Sequence, residues 1–154
     1  MSKAHAQSHR KNLPRLVIAD DDPVVRAMVI EQLRKDFDCV GEASDAAEAV
    51  AVVAAQHPDV AILDVDMPAG GAGRATRQIC EQFPGTAVVI LSIDETWAEL
   101  IDLLNAGAMT YLRKGVDEPT LARDLKSAIE AHGRRVYVPA IVEPDDAASV
   151  LAEG

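Results

Sequence analysis

Five short apolar runs alternate with five stretches of helical periodicity, and this alternation constrains the fold more than any other feature of the chain. The runs are Arg15–Ala19, a weaker one at 39–43, the run Val60-Ala61-Ile62-Leu63 that ends in Asp64, a fourth at 87–91 and a fifth at 108–112. Three of them, the first, third and fourth, are apolar without the every-other-residue polarity of a half-exposed strand, as expected of strands covered on both faces. Between them lie helical patterns. Val25, Met28, Val29 and Leu33 form one face of a helix that opens at Asp22-Pro23 and runs to about Lys35. Asp45-Ala46-Ala47-Glu48 has the spacing of a capping box, and Ala46, Ala49, Val50 and Val53 continue that helix. A third helix is expected over about 74–83, after a flexible glycine-rich loop at 69–73. Trp97, Leu100, Ile101 and Leu104 mark a fourth, closed by Gly107. Pro119 opens the last, with Leu121, Leu125, Ala128, Ile129 and His132 on one face and Gly133 as its end.

Strands joined by helical crossovers lie parallel, with helices on both faces of the sheet. The expectation is a doubly wound α/β sheet of five parallel strands in the order 2-1-3-4-5. A chain of 154 residues is long enough to bury one core, and 49% apolar content is that of a globular domain. Aromatic residues make up only 3%, so Val, Ile, Leu and Ala build the core. No apolar run reaches bilayer length and the N-terminus lacks a signal-peptide core, so the chain is expected in the cytoplasm. Cys39 and Cys80 have no metal-type spacing and are too few for a disulfide framework. A net charge of −10 argues against nucleic-acid binding by this segment and fits a domain that holds a cation or meets basic partners.

In an open parallel sheet, ligands bind beyond the carboxyl ends of the strands, where the winding reverses. With the order 2-1-3-4-5 that place lies between strands one and three. Strand one runs into Asp20-Asp21-Asp22, strand three ends in Asp64, strand four is followed by Ser92, and strand five leads to Lys114. Pro68 keeps strand three from continuing past Asp64-Val65-Asp66-Met67. Carboxylates at close range repel unless a cation or proton intervenes. All-oxygen ligands favour Mg²⁺, Ca²⁺ or Mn²⁺, and Mg²⁺ typically takes one or two carboxylates and waits for a phosphate. The plainer reading makes the three aspartates caps for the first helix, and Asp22 is assigned that role. Lys114 has the plain alternative of a surface lysine, like Arg113 beside it. Ser92 has that of a helix cap, for which Asp94 is better placed. Brought together, these residues form a nucleophilic carboxylate, a cation site, a hydroxyl and an ammonium, a set suited to phosphoryl transfer onto a carboxylate.

With these residues in hand, residues 14–133 resemble the receiver domain of a two-component response regulator. The resemblance rests on Leu16-Val17-Ile18-Ala19-Asp20-Asp21-Asp22-Pro23, on Asp64-Val65-Asp66-Met67-Pro68, on Ser92 and on Tyr111-Leu112-Arg113-Lys114. It implies a flavodoxin-like fold and a phosphoryl group accepted on Asp64 from a sensor histidine kinase or phosphotransfer protein. It implies Mg²⁺ held by Asp20, Asp21, Asp64 and the backbone carbonyl of Asp66, with Lys114 paired to the phosphoryl group. Ser92 and Tyr111 would be the switch residues, and the fourth helix, last strand and last helix the switching surface, with dimerisation there on phosphorylation. For Tyr111 a purely core role is the open alternative. The resemblance implies no enzyme beyond the domain's own phosphorylation and dephosphorylation. Three places depart from the usual pattern. Gly115 stands where a proline often follows the lysine, Ile93 stands where a small residue is usual, and the loop 69–73 lacks an acidic and a large apolar residue.

Residues 1–13 read as a disordered arm, and 134–154 as a tail or truncated linker. The Tyr137-Val138-Pro139 segment is similar to the linker of LuxR-type helix-turn-helix regulators, and no recognition helix follows it in these 154 residues. This segment is therefore expected to bind no nucleic acid, with DNA reached only through an output domain, and no membrane. Two other readings use the same residues. One is a degenerate receiver acting only as an interaction module. The other is a Mg²⁺-dependent phosphatase with an aspartate nucleophile, to which Asp64-Val65-Asp66 is superficially similar.

Overall fold

The computed structural model describes residues 12–68, 71–93, 96–115 and 117–137. The strands are β1 (Arg15–Ala19), β2 (Asp38–Ala43), β3 (Val60–Asp64), β4 (Ala87–Ser92) and β5 (Thr110–Arg113). The helices are α1 (Pro23–Leu33), α2 (Ala46–Gln56), α3 (Gly71–Gln82), α4 (Trp97–Asn105) and α5 (Glu118–Tyr137). All neighbouring strands pair in parallel, in the order β2-β1-β3-β4-β5, as expected.

Alternation along the strands divides the core in two. Val17, Ala19, Ala61, Leu63, Val88 and Ile90 face α2, α3 and α4, where they meet Ala49, Val53, Ala75, Ile79 and Leu103. Leu16, Ile18, Val60, Ile62, Val89 and Leu91 face α1 and α5, where they meet Val29, Leu33, Leu121 and Leu125. Winding from β1 outward to β2 and then back past β1 to β3 places α1 on one face and α2 on the other. The gap above β1 and β3 is left open by that reversal. The central strands β3 and β4 are buried at every position, which is why their sequences carry no polar face.

Helix ends follow local chemistry. Asp22 caps α1, accepting from the Val24 and Val25 N–H groups at 2.9 and 3.4 Å, and Pro23 occupies the first turn. Asp45 caps α2 through the Glu48 N–H, but the Glu48 carboxylate takes the Ser44 hydroxyl at 2.9 Å instead of closing a reciprocal box. The full reciprocal box is at α4, where Thr96 and Glu99 exchange bonds. Asp94, the expected cap there, lies outside the described residues. Gly107 ends the α4 segment at φ +121°, a conformation that only glycine adopts freely.

Four expectations are corrected. The α1 stripe buries Val29 and Leu33 but leaves Met28 59% exposed, because Met28 sits on the edge of the stripe away from the sheet. That helix stops at Leu33, where the Asp36 and Phe37 N–H groups turn back to its carbonyl, and Phe37 is buried beneath. Helix α3 begins at Gly71, three residues early, with Gly71 leading in at φ +68° and Ala72 buried in the first turn. Helix α5 runs through Gly133 to Tyr137. Gly133 keeps a helical φ, so it costs helix stability without ending the helix. The arm, apart from Asn12 and Leu13, and the tail beyond Tyr137 lie outside the described residues, as do residues 69 and 70 of the expected loop.

Candidate functional site

Four strand ends deliver polar side chains to the open edge. The Asp20 N–H donates to the Ala43 carbonyl at 3.0 Å, which extends the β1–β2 pairing one step and turns the carboxylate inward. Asp20 is 1% exposed, and its Oδ1 accepts from the Asp22 N–H at 2.9 Å. Asp64 is the last residue of β3 and is 5% exposed. Asp21 projects into solvent from the β1–α1 turn. Carboxylate oxygens of Asp20, Asp21 and Asp64 all lie within 4.8 Å of one another.

Lys114 closes the group. Its Nζ stands 2.9 Å from Asp20 Oδ2 and 2.9 Å from Asp64 Oδ1. Asp20 Oδ2 is buried and meets no other donor among the described residues. Ser92, at the end of β4, is buried, and its carbonyl accepts from the Lys114 N–H at 2.7 Å. One backbone bond therefore ties the hydroxyl-bearing residue to the ammonium-bearing one. Burial pushes the Asp64 carboxyl above its ordinary pKa. Lys114 opposes that shift, and the carboxylates of Asp20 and Asp21 add to it. Burial alone would lower the Lys114 ammonium, but the contacts with Asp64 and Asp20 outweigh it and the net shift is upward.

Asp66 is exposed in the turn two residues past Asp64. That turn is pinned by Met67, buried against the α2–α3 core, and by the Pro68 carbonyl, which accepts from the Ala46 N–H at 3.1 Å. Tyr111 lies on β5, outside the carboxylate group. It is half-buried beside the α2–α4 core and meets the Trp97 ring edge-on, with centroids 6.4 Å apart. Ile93 is exposed and lines an apolar groove with Met28 and Leu121 beside Lys114. One participant carried no motif signal. Arg26, on α1, donates from a terminal guanidinium nitrogen to the Asp20 carbonyl at 2.6 Å and pairs through Nε with Glu42 at 3.2 Å.

The donor set suits a hard divalent cation. It is all oxygen, contains two buried carboxylates and one exposed carboxylate, and includes a buried oxygen, Asp20 Oδ2, that meets no donor but Lys114 among the described residues. The set could hold such a cation, with Asp21 on its exposed side.

A family model described as the response regulator receiver domain matches residues 16–126, which include every residue of this site. The chain belongs to that family. As a receiver it is 38% identical over 110 residues to the oxygen regulatory protein NreC of Staphylococcus epidermidis, covering 70% of this chain and 50% of that protein. It is 36% identical over 114 residues to the DNA-binding transcriptional activator DevR/DosR of Mycobacterium tuberculosis, covering 73% and 52%. The receiver thus spans about half the length of these curated relatives. Among solved structures it is similar to the signal receiver domain of the response regulator NarL from M. tuberculosis, with a TM-score of 0.73, 28% identity and coverage of 77% and 97%. It is also similar to a LuxR-family two-component response regulator from Aurantimonas, with a TM-score of 0.72, 26% identity and coverage of 78% and 87%. The flavodoxin-like sheet order read from the sequence is that of the receiver fold. No helix among the described residues is long and apolar enough to cross a membrane.

Proposed function

We propose that this receiver accepts a phosphoryl group on Asp64 from the phosphohistidine of a sensor kinase or phosphotransfer protein. In this reading an Asp64 carboxylate oxygen attacks phosphorus, the P–N bond breaks, and the imidazole leaves with its electron pair. Asp20, Asp21 and Asp64, with the Asp66 carbonyl, are assigned to Mg²⁺. The ion neutralises charge on the transferring oxygens when bound. Lys114 already touches two of the carboxylates and supplies the second cation to the phosphoryl oxygens. Ser92 donates its hydroxyl to a phosphoryl oxygen, and Tyr111 follows it inward, altering the α4–β5–α5 surface.

The observation that carries the reading is the contact of Lys114 Nζ with both Asp20 and Asp64 at 2.9 Å, beside an exposed third carboxylate. A buried nucleophile flanked by one ammonium and one cation site is built for an incoming phosphoryl group. The chain acts on itself and is not assigned turnover of a separate substrate. Residues 14–133 form the signalling unit. By analogy with its DNA-binding relatives, its output is a DNA-binding domain or a partner reached by contact or homodimerisation.

The test is intact mass after incubation with acetyl phosphate, with and without Mg²⁺, beside Asp64→Asn. One phosphoryl mass gained only with Mg²⁺, and absent in the variant, is the expected result. Wild-type protein that binds Mg²⁺ yet gains no mass would leave the interaction-module reading in its place.

A further inference from the structure

Asp20 is fixed on three sides. Its N–H is held by Ala43, its Oδ1 by the Asp22 N–H, and its carbonyl by the Arg26 guanidinium. The carbonyl belongs to the peptide plane shared by Asp20 and Asp21, and that plane is rigid. A donor that fixes this one oxygen therefore sets the orientation of both residues' Cα atoms. Arg26 is itself braced. Its side chain is 18% exposed, and Nε pairs with Glu42 Oε1 at 3.2 Å. Glu42 lies on the edge strand β2, directly opposite Ile18 of β1. A guanidinium can span these two acceptors with separate N–H groups at a fixed angle, which an ammonium cannot do.

We infer that Arg26 is a positioning residue for the acidic cluster. Its guanidinium, anchored by Glu42, locks the Asp20–Asp21 peptide so that both carboxylates are aimed at one divalent cation. The inference rests on the Mg²⁺ reading above.

Two effects of opposite sign make it testable. As a nearby positive charge, Arg26 repels Mg²⁺, so removing it should tighten binding. As the holder of the Asp20 carbonyl, it preorganises the ligands, so removing it should loosen binding. Positioning is the effect that wins here, because the contact is a short charge-assisted bond to the backbone of the ligand residue itself.

The experiment is calorimetric Mg²⁺ titration of wild type, Arg26→Gln and Arg26→Lys, with circular dichroism to establish the fold of each. Arg26→Gln is expected to weaken Mg²⁺ about tenfold, the equivalent of ~1.4 kcal/mol. Arg26→Lys keeps the charge but loses the fork, and should fall between it and wild type. Tighter or unchanged binding in Arg26→Gln, or wild-type affinity in Arg26→Lys, would overturn the inference. The lysine variant decides the matter if the glutamine variant is unfolded. A wild type that takes up no Mg²⁺ would defeat the functional reading and this inference together. Wild-type binding with unchanged variants would defeat this inference alone.

Discussion

Trp97, the first residue of α4, meets Tyr111 of β5 edge to face, with ring centroids 6.4 Å apart and planes at 81°. Trp97 is the only tryptophan and is 64% exposed, so emission comes from one indole placed beside Tyr111. Edge-to-face aromatic pairs contribute about 0.5–1.5 kcal/mol beyond area burial, enough to bias the Tyr111 position without freezing it. If Tyr111 turns inward on phosphorylation, it leaves the indole. Adding Mg²⁺ and acetyl phosphate should then change Trp97 fluorescence in step with phosphoryl incorporation. The change should be lost in Asp64→Asn and strongly reduced in Tyr111→Ala. A full signal in Tyr111→Ala would show that α4 moves independently of the tyrosine.

The Asp64 carboxyl is held above its ordinary value of 3.8, chiefly by burial. A folded-state pKa above the unfolded one means the native protein binds more protons between the two values. Stability of the metal-free protein therefore falls as pH rises through that window and stays reduced above it. Asp64→Asn removes the ionising group at nearly the same shape. The variant should be more stable than wild type at neutral pH without Mg²⁺. The gap should close below pH 4. Adding Mg²⁺ should raise the wild-type melting temperature, as any ligand of the native state does, and should raise that of the variant less. Thermal melts across pH, with and without Mg²⁺, check all three statements.

Gly107 is required by two constraints at once. Its φ is +121°, and a Cβ there would lie 2.7 Å from Cys80 Sγ and 3.0 Å from Cys80 Cβ. The first would strain any L side chain, and the second would push α3 away from the α4–β5 turn. Gly107→Ala should cost about 2–4 kcal/mol, the sum of a left-handed backbone penalty and overpacking. Coupling the change with Cys80→Ala removes the Sγ clash but leaves the backbone strain and the 3.0 Å approach to Cβ, so only part of the loss should return. Urea denaturation of the three variants measures this. Full recovery in the double variant would mean that the backbone conformation costs nothing here.

The sheet was legible because β1, β3 and β4 are buried on both faces, so their runs are apolar throughout. Asp20, Asp64 and Ser92 were legible because each follows such a run directly, and Lys114 because it stands just past β5; parallel topology carries all four to one edge. What escaped depends on contacts distant in sequence or on orientation within a stripe. Met28 fits the helical period yet lies at the stripe's margin. Gly71 and Gly133 look like breakers, but Gly71 leads into α3 at φ +68° and Gly133 keeps a helical φ within α5. Arg26 touches Asp20 and Glu42 only because α1 folds back over β1 and β2, and no spacing in the sequence encodes that return. The Trp97–Tyr111 contact likewise needs α4 and β5 to be neighbours before it can be seen.

Thr76 offers a last test, in the core instead of the site. It sits on the inner face of α3 between Ala72, Ala75 and Ile79, fully buried, and its hydroxyl has no hydrogen-bond partner among the described residues. A buried hydroxyl left unpaired costs roughly 1–3 kcal/mol relative to a paired one. Valine replaces the hydroxyl by a methyl of similar size and removes that cost. Thr76→Val should therefore be more stable than wild type by about 1 kcal/mol, with the urea midpoint raised and the m-value unchanged. Thr76→Ser keeps the hydroxyl and loses the methyl, so it should be less stable by about 1 kcal/mol. Helix α3 contributes no carboxylate to the site, so phosphoryl incorporation at Asp64 should be the same in both variants. A valine variant less stable than wild type would mean that the hydroxyl is bonded to a buried water.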